Sequence, residues 1–280
     1  MSDETSSQAA PTGDLTERIA ALLEPLGGRT AAAAQRFGPL PGKSFATGGA
    51  SASVAIRADE VFPAASLAKL PIAIELMRRA DLGLFDLRER FDTAEEPRVG
   101  GAGVLDMLDP TTRLTLGDLC ALMLVVSDNT AANFILDLVG MGEVNETIGR
   151  LKTPNTHLAR HFMDTAARDA GRDNTTSAGD MLTMMSLIRG NALPGGRYLR
   201  ELLLAQQSFS ELTEGWLPTT AKLAHKDGTL EGVVHDTGIL SGPGGVAMYC
   251  VLTAEQPDTP AARAAVGATL RLLWDEWRLG

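Results

Sequence analysis

Positive charge is in short supply in this chain. Against 35 Asp and Glu it carries 25 Lys and Arg, for a formal net charge of −10. A surface that follows nucleic-acid phosphates or lies on an anionic membrane needs the opposite sign, so both partners are excluded. Cysteine is nearly absent. Cys120 and Cys250 sit in apolar contexts without metal-ligand spacing, which excludes a disulfide framework and reads as two buried, inert thiols in a reducing compartment. The four histidines have no acidic or cysteine partner at ligand spacing, so neither a metal nor a cofactor is expected. The first eleven residues lack the basic and apolar regions of a secretory signal, and no internal repeat is present. The expectation is a disordered polar leader over 1–13 on a cytoplasmic protein.

What remains is an ordinary soluble composition, 44% hydrophobic and 21% charged over 280 residues, long enough for one large or two intimate domains. Apolar spacing predicts a helix over 16–26 that stops at Gly27-Gly28, then strands over 30–36 and 53–57 joined by a long Gly/Pro/Ser-rich connection. Helices dominate from 62 to 190. Capping boxes at Thr115-x-x-Asp118 and Ser177-x-x-Asp180 open two of them, another runs from about 130 to Gly140, and a further one covers 197–206. Strands return over 220–225, 233–240 and 246–253, with Asp227-Gly228 and 242–245 read as turns, and Thr259-Pro260 starts a last helix. Strands at both ends with helices between them predict an α/β (α+β) fold: a five-stranded antiparallel sheet flanked by terminal helices, with an inserted all-helical subdomain. The division would be 14–60 with 192–280 for the sheet part and 61–191 for the helical part, with the active site at their junction.

Within the helical part, Ser66-Leu-Ala-Lys69 places a hydroxyl and an amine three residues apart on one helix face. Serine needs a base to become a nucleophile, and a desolvated lysine beside it is one. With 13 serines and 5 lysines the spacing alone has roughly a quarter of a match by chance, so it does not decide. The following apolar run 70–74 buries the helix, where an unpaired ammonium is costly, and Pro71 removes a donor one turn in and makes the start irregular.

Two further patterns stand with it: Ser127-Asp128-Asn129, and Lys226-Asp227-Gly228-Thr229. Together they resemble the Ser-x-x-Lys, Ser-Asp-Asn and Lys-Thr-Gly set of the class A β-lactamase-like serine hydrolases, from about residue 16 onwards. Residues 59–66 and 172–177 add to the likeness. The resemblance implies the β-lactamase/transpeptidase-like fold and acyl transfer: Ser66 attacks, Lys69 takes its proton, and Ser127 relays a proton to the leaving group with help from Lys226. The amides of Ser66 and Thr229 would form the oxyanion hole, Gly228 would allow close backbone approach to the substrate, and Asn129 would position Lys69 or a substrate amide.

The pattern then breaks. Class A β-lactamases carry a Glu-x-x-Leu-Asn whose Glu activates the deacylating water, and residues 158–172 contain no Glu. Asp164 is the nearest candidate, against the plainer reading of an exposed loop aspartate. Asp227 replaces the family's central hydroxyl, Glu214 stands at one family arginine, and Thr237 falls near another. A substrate carboxylate at 4 Å from Asp227 would meet about 1–4 kcal/mol of repulsion. The expectation is a serine hydrolase or acyltransferase working on a small-molecule ester, amide or lactam through acyl-Ser66, poor on carboxylate-bearing penicillins and favouring neutral or cationic substrates. The alternatives are a weak β-lactamase and a non-turnover penicillin-binding or ligand-sensing protein. His225 and His235 flank the site, and His235 reads as structural rather than tuning.

Overall fold

The computed structural model describes residues 14–38, 52–190, 192–207 and 215–280. The expected leader, most of the first long connection and Glu214 therefore lie outside the described residues. Helix α1 (Leu15–Leu23) runs into a 3-10 turn, Glu24–Leu26, and ends at Gly27, whose φ of 75° suits a residue without a Cβ. Strands β1 (Arg29–Phe37) and β2 (Ala52–Ile56) follow. Two short ribbons lie in the helical middle: β3 (Phe62–Pro63) pairs with β6 (Thr175–Thr176), and β4 (Arg90–Asp92) with β5 (Arg113–Thr115). Strands β7 (Lys222–Leu230), β8 (Val233–Gly242) and β9 (Gly245–Ala254) complete a five-stranded antiparallel sheet in the order β2-β1-β9-β8-β7. The architecture is the expected α+β one.

Both faces of the sheet are covered, which explains the run of alanines in β1. Ala31 and Ala33 face the core shared with the middle helices, whereas Ala32 and Ala34 face a second core under α1 and the C-terminal helix Thr259–Glu276. A strand buried on both sides reads as uniformly apolar instead of alternating. The first core centres on α2 (Lys69–Asp81), where Leu70, Ile72, Ala73, Ile74, Leu76 and Met77 are all buried. Its one buried carboxylate, Glu75, is held by Arg78, Arg79 and the Thr147 hydroxyl.

The capping boxes differ. At α3 (Leu116–Val125) both reciprocal bonds form between Thr115 and Asp118. At α7 (Ala178–Arg189) Ser177 accepts from the Asp180 amide, but the Asp180 carboxylate accepts from Asn155 N and Thr156 Oγ1 instead of returning to the cap. Helices α4 (Asn129–Val139), α5 (Met141–Arg150) and α6 (Thr165–Asp169) lie in the helical part, and α8 (Gly196–Leu204) follows it. One sequence expectation is corrected. Asp227-Gly228 is not a turn: both residues sit inside β7, paired with Asp236 and His235, and the reversal lies at Glu231-Gly232, where Gly232 has φ 67°. A long pairing register outweighs the local Asp-Gly signal, and the two-residue hairpin keeps its glycine at positive φ.

Candidate active site

Ser66 stands second in a 3-10 turn, Ala65–Ala68, that leads directly into α2, with Pro71 third in that helix. Ala65 has φ 47°, so the residue before the hydroxyl is in a conformation that costs an L-residue energy and must be held by its surroundings. Strand β7 supplies part of that support. A Cβ on Gly228 would stand 3.2 Å from Ala65 Cβ and 3.3 Å from Ser66 N, so this glycine admits the turn's own backbone, where the sequence reading had it admit a substrate. His235 supplies another part. Its Nε2 donates to Pro63 O at 2.7 Å, and its Nδ1 accepts from Thr253 N at 3.1 Å, which fixes one neutral tautomer. Burial pushes its pKa down to about 4.

Lys69 is fully buried, while Ser66 is partly exposed beside it. Its Nζ lies 2.6 Å from Ser127 O, 2.7 Å from Asn129 Oδ1, and 3.0 Å from the hydroxyls of both Ser66 and Ser127. The two shortest contacts go to oxygens that can only accept. A neutral amine has two N–H groups for those acceptors and a lone pair left for a hydroxyl proton. Burial, then the nearby Lys226 charge, hold the Lys69 pKa well below the ordinary lysine value against the opposing pull of Asp227 and Asp128. In this arrangement a neutral Lys69 amine can accept a proton from Ser66.

Ser127 lies between α3 and α4 with φ 56°. Its neighbour Asp128 fastens the backbone: Oδ1 caps α4 through Ala131 N at 2.9 Å, and Oδ2 accepts from Val104 N and Leu105 N, each at 2.7 Å. Asn129 Nδ2 donates to Gly100 O at 2.8 Å, which leaves Oδ1 aimed at Lys69. The triplet therefore joins α4, the loop near residue 100 and the lysine.

Lys226 is fully buried and its Nζ donates to Asp227 Oδ1 at 2.7 Å and Asp227 O at 3.0 Å. Gln206 Nε2 donates to the same Oδ1. Burial alone would raise the Asp227 carboxyl, but Lys226 beside it brings the pKa below the usual aspartate value. Thr237, opposite Lys226 in the register, spends its hydroxyl on Tyr249 O. His225 Nδ1 is 2.8 Å from Asp236 Oδ2, and the Tyr249 hydroxyl binds the other Asp236 oxygen. This buried trio packs within the sheet.

Residues 158–172 bring Phe162, not an acid, to the lysine: its ring centroid is 4.7 Å from Lys69 Nζ. Asn133 fixes it by accepting from Phe162 N at 2.8 Å and donating to Phe162 O at 3.1 Å. Arg160 pairs with Asp173 at 2.7 Å across the neck of the loop, and Asn174 Oδ1 accepts from Ala159 N and Arg160 N. Asp164 is exposed and caps α6 through Ala167 N, away from these contacts. His161, expected without an acidic partner, meets Asp137 Oδ1 at 2.7 Å. Among the described residues no group of three or more His, Cys, Asp or Glu could hold a metal ion, and no helix is long and apolar enough to cross a membrane. A cavity of about 240 Å³ opens beside Ser66, lined by Ala102, Phe162, Met163, Thr229, Leu230 and the arginines Arg160 and Arg168.

A model of the beta-lactamase enzyme family matches residues 14–277. Among solved structures, the beta-lactamase of Sphaerobacter thermophilus DSM 20745 is 27% identical over 95% of this chain and 97% of that chain, with a TM-score of 0.82. A mutant of PBP-A in acyl-enzyme complex with penicillin G is 25% identical over 96% and 98%, with a TM-score of 0.82. An ancestral class A beta-lactamase, GNCA, is 25% identical over 94% and 100%, with a TM-score of 0.81.

Proposed function

The chain belongs to the beta-lactamase enzyme family and has its class A fold, and from that premise we propose that it works through an acyl-Ser66 intermediate. The observation that carries this is the buried Lys69 amine 3.0 Å from Ser66 Oγ, with its other contacts taken by acceptors. Lys69 accepts the serine proton as Oγ bonds to the carbonyl carbon, and Ser127, 3.0 Å from the same amine, passes a proton to the departing nitrogen, oxygen or sulfur. The amides of Ser66 and Thr229 stabilise the oxyanion.

Release of the acyl group follows a different course from the class A pattern. Phe162 covers the lysine where a carboxylate would hold a water, and Asp164 is committed to a helix cap. Without a carboxylate from residues 158–172 at the lysine to activate a water, the acyl-ester favours transfer to a nucleophile that brings its own binding contacts over hydrolysis, so the chain is an acyltransferase or a slow hydrolase of esters, amides or lactams. Penicillins fit poorly because Lys226 is already neutralised by Asp227 and offers their carboxylate little. The same Phe162 favours a second reading, a ligand sensor that is acylated and stays so. Product analysis with an activated ester and added primary amines tests both. Amide formation outpacing hydrolysis supports transfer, a persistent adduct supports the sensor, and rapid turnover of several penicillins contradicts both.

A further inference from the structure

Resting on the acyl-serine reading, we propose that Asp227 selects acyl donors whose leaving group carries a cation. The cleft has two chemically different halves around Ser66. Toward the end of β7 lies the cavity lined by Ala102, Phe162, Met163 and Leu230, whose arginines Arg160 and Arg168 are paired with Asp173 and Asp169. Lys226 and Asp227, at the middle of β7, are not part of that lining. The leaving group must lie where its proton arrives. Ser127, the hydroxyl that shares Lys69 with Ser66, is not part of the cavity wall. The proposal places the acyl arm in the cavity and the leaving group outside it, toward Lys226 and Asp227.

What it meets there is not a free cation. Lys226 gives its Nζ to Asp227 Oδ1 and to Asp227 O, so the pair carries no net charge. The Oδ1 atom is saturated by Lys226 and Gln206. The Oδ2 atom accepts from none of the described residues, in a side chain that is 7% exposed. A carboxylate with one unoccupied oxygen beside a neutralised lysine attracts an ammonium and repels an anion.

Three butyryl thioesters test this, with thiocholine, 2-mercaptoethanol or 3-mercaptopropionate as the leaving thiol. In each, Ser66 Oγ bonds to the acyl carbon, the C–S bond breaks, and the departing sulfur receives the serine proton by way of Lys69 and Ser127. Rates of thiol release and of Ser66 acylation are measured for each ester and divided by its hydroxylaminolysis rate, which removes differences in intrinsic reactivity. The wild-type chain should favour the thiocholine ester over the mercaptopropionate ester by at least about tenfold, an advantage that shrinks as salt rises. Asp227→Asn and Asp227→Thr, each checked by thermal melt, should erase or reverse that order because Lys226 is released, while the mercaptoethanol ester changes least. Equal normalised rates in the wild type, a wild-type preference for the anionic ester, or variants that slow all three esters alike would overturn the proposal. If no ester modifies Ser66, the acyl-serine reading itself fails and takes this inference with it.

Discussion

Lys69 has one short list of partners, and each has a chemical consequence. Removing the amine in Lys69→Ala should slow acylation of Ser66 by about 10²–10⁴-fold, and Lys69→Arg should not restore it because a guanidinium stays protonated. The pH profile carries a sign. Burial lowers the Lys69 pKa, so acylation should persist well below the ordinary lysine range and fall only as pH drops through that lowered value. Stopped-flow acylation across pH checks both statements. At Phe162, replacement by Glu puts a carboxylate where a water can be held beside the acyl-ester, and hydrolysis of the adduct should rise by at least about tenfold. An unchanged adduct lifetime would contradict the role given to the ring. Three motifs taken together, through their resemblance to the class A β-lactamase-like set, singled out Ser66, Lys69, Ser127 and Asn129, whose side chains meet at the Lys69 amine. Phe162 was not legible, because an apolar residue in a loop carries no chemical flag until its ring is seen above the lysine.

Elements, not single residues, hold the site open, and two of their fastenings can be tested. Asp128 ties α4 to the loop near residue 104 through three backbone amides. Asp128→Ala leaves the amides of Leu105 and Ala131 buried and unpaired, and should cost about 3 kcal/mol in a denaturant melt. His235 links β8 to the segment entering the Ser66 turn and stays neutral, with its pKa pushed down to about 4 from the usual 6.5. The unfolded chain then binds the extra proton first as pH falls. Stability should decline from about pH 6.5 to about pH 4, by up to about 3 kcal/mol, and His235→Gln should flatten that slope. Most helices and strands announced themselves through apolar spacing and caps. Helix α5 did not, since it follows Gly140 without a polar cap and carries Gly142 and Gly149. The extent of β7 was hidden because Asp227-Gly228 looks like a turn until β8 is laid beside it.

At the scale of the molecule, the sheet joins distant parts of the chain: β1, from the first forty residues, pairs with β9 along nine residue pairs. The C-terminal helix covers the far face of that sheet with Val266, Leu270, Leu273, Trp274 and Trp277. A chain ending after Ala254 would expose this second core, and should lose its cooperative thermal transition by circular dichroism. Strands at both ends of the sequence were enough to suggest the architecture. The cleft's preference was only half legible: Asp227 could be read as an anion, but its pairing with Lys226 and Gln206 is a fact of three dimensions. The central claim is that this fold delivers a nucleophilic Ser66. Intact-mass and peptide-mapping measurements after exposure to an activated acyl donor address it most directly. A single adduct on Ser66, absent in Ser66→Ala and sharply slowed in Lys69→Ala, is the expected result. No adduct, or one carried equally by Ser66→Ala, would contradict the account.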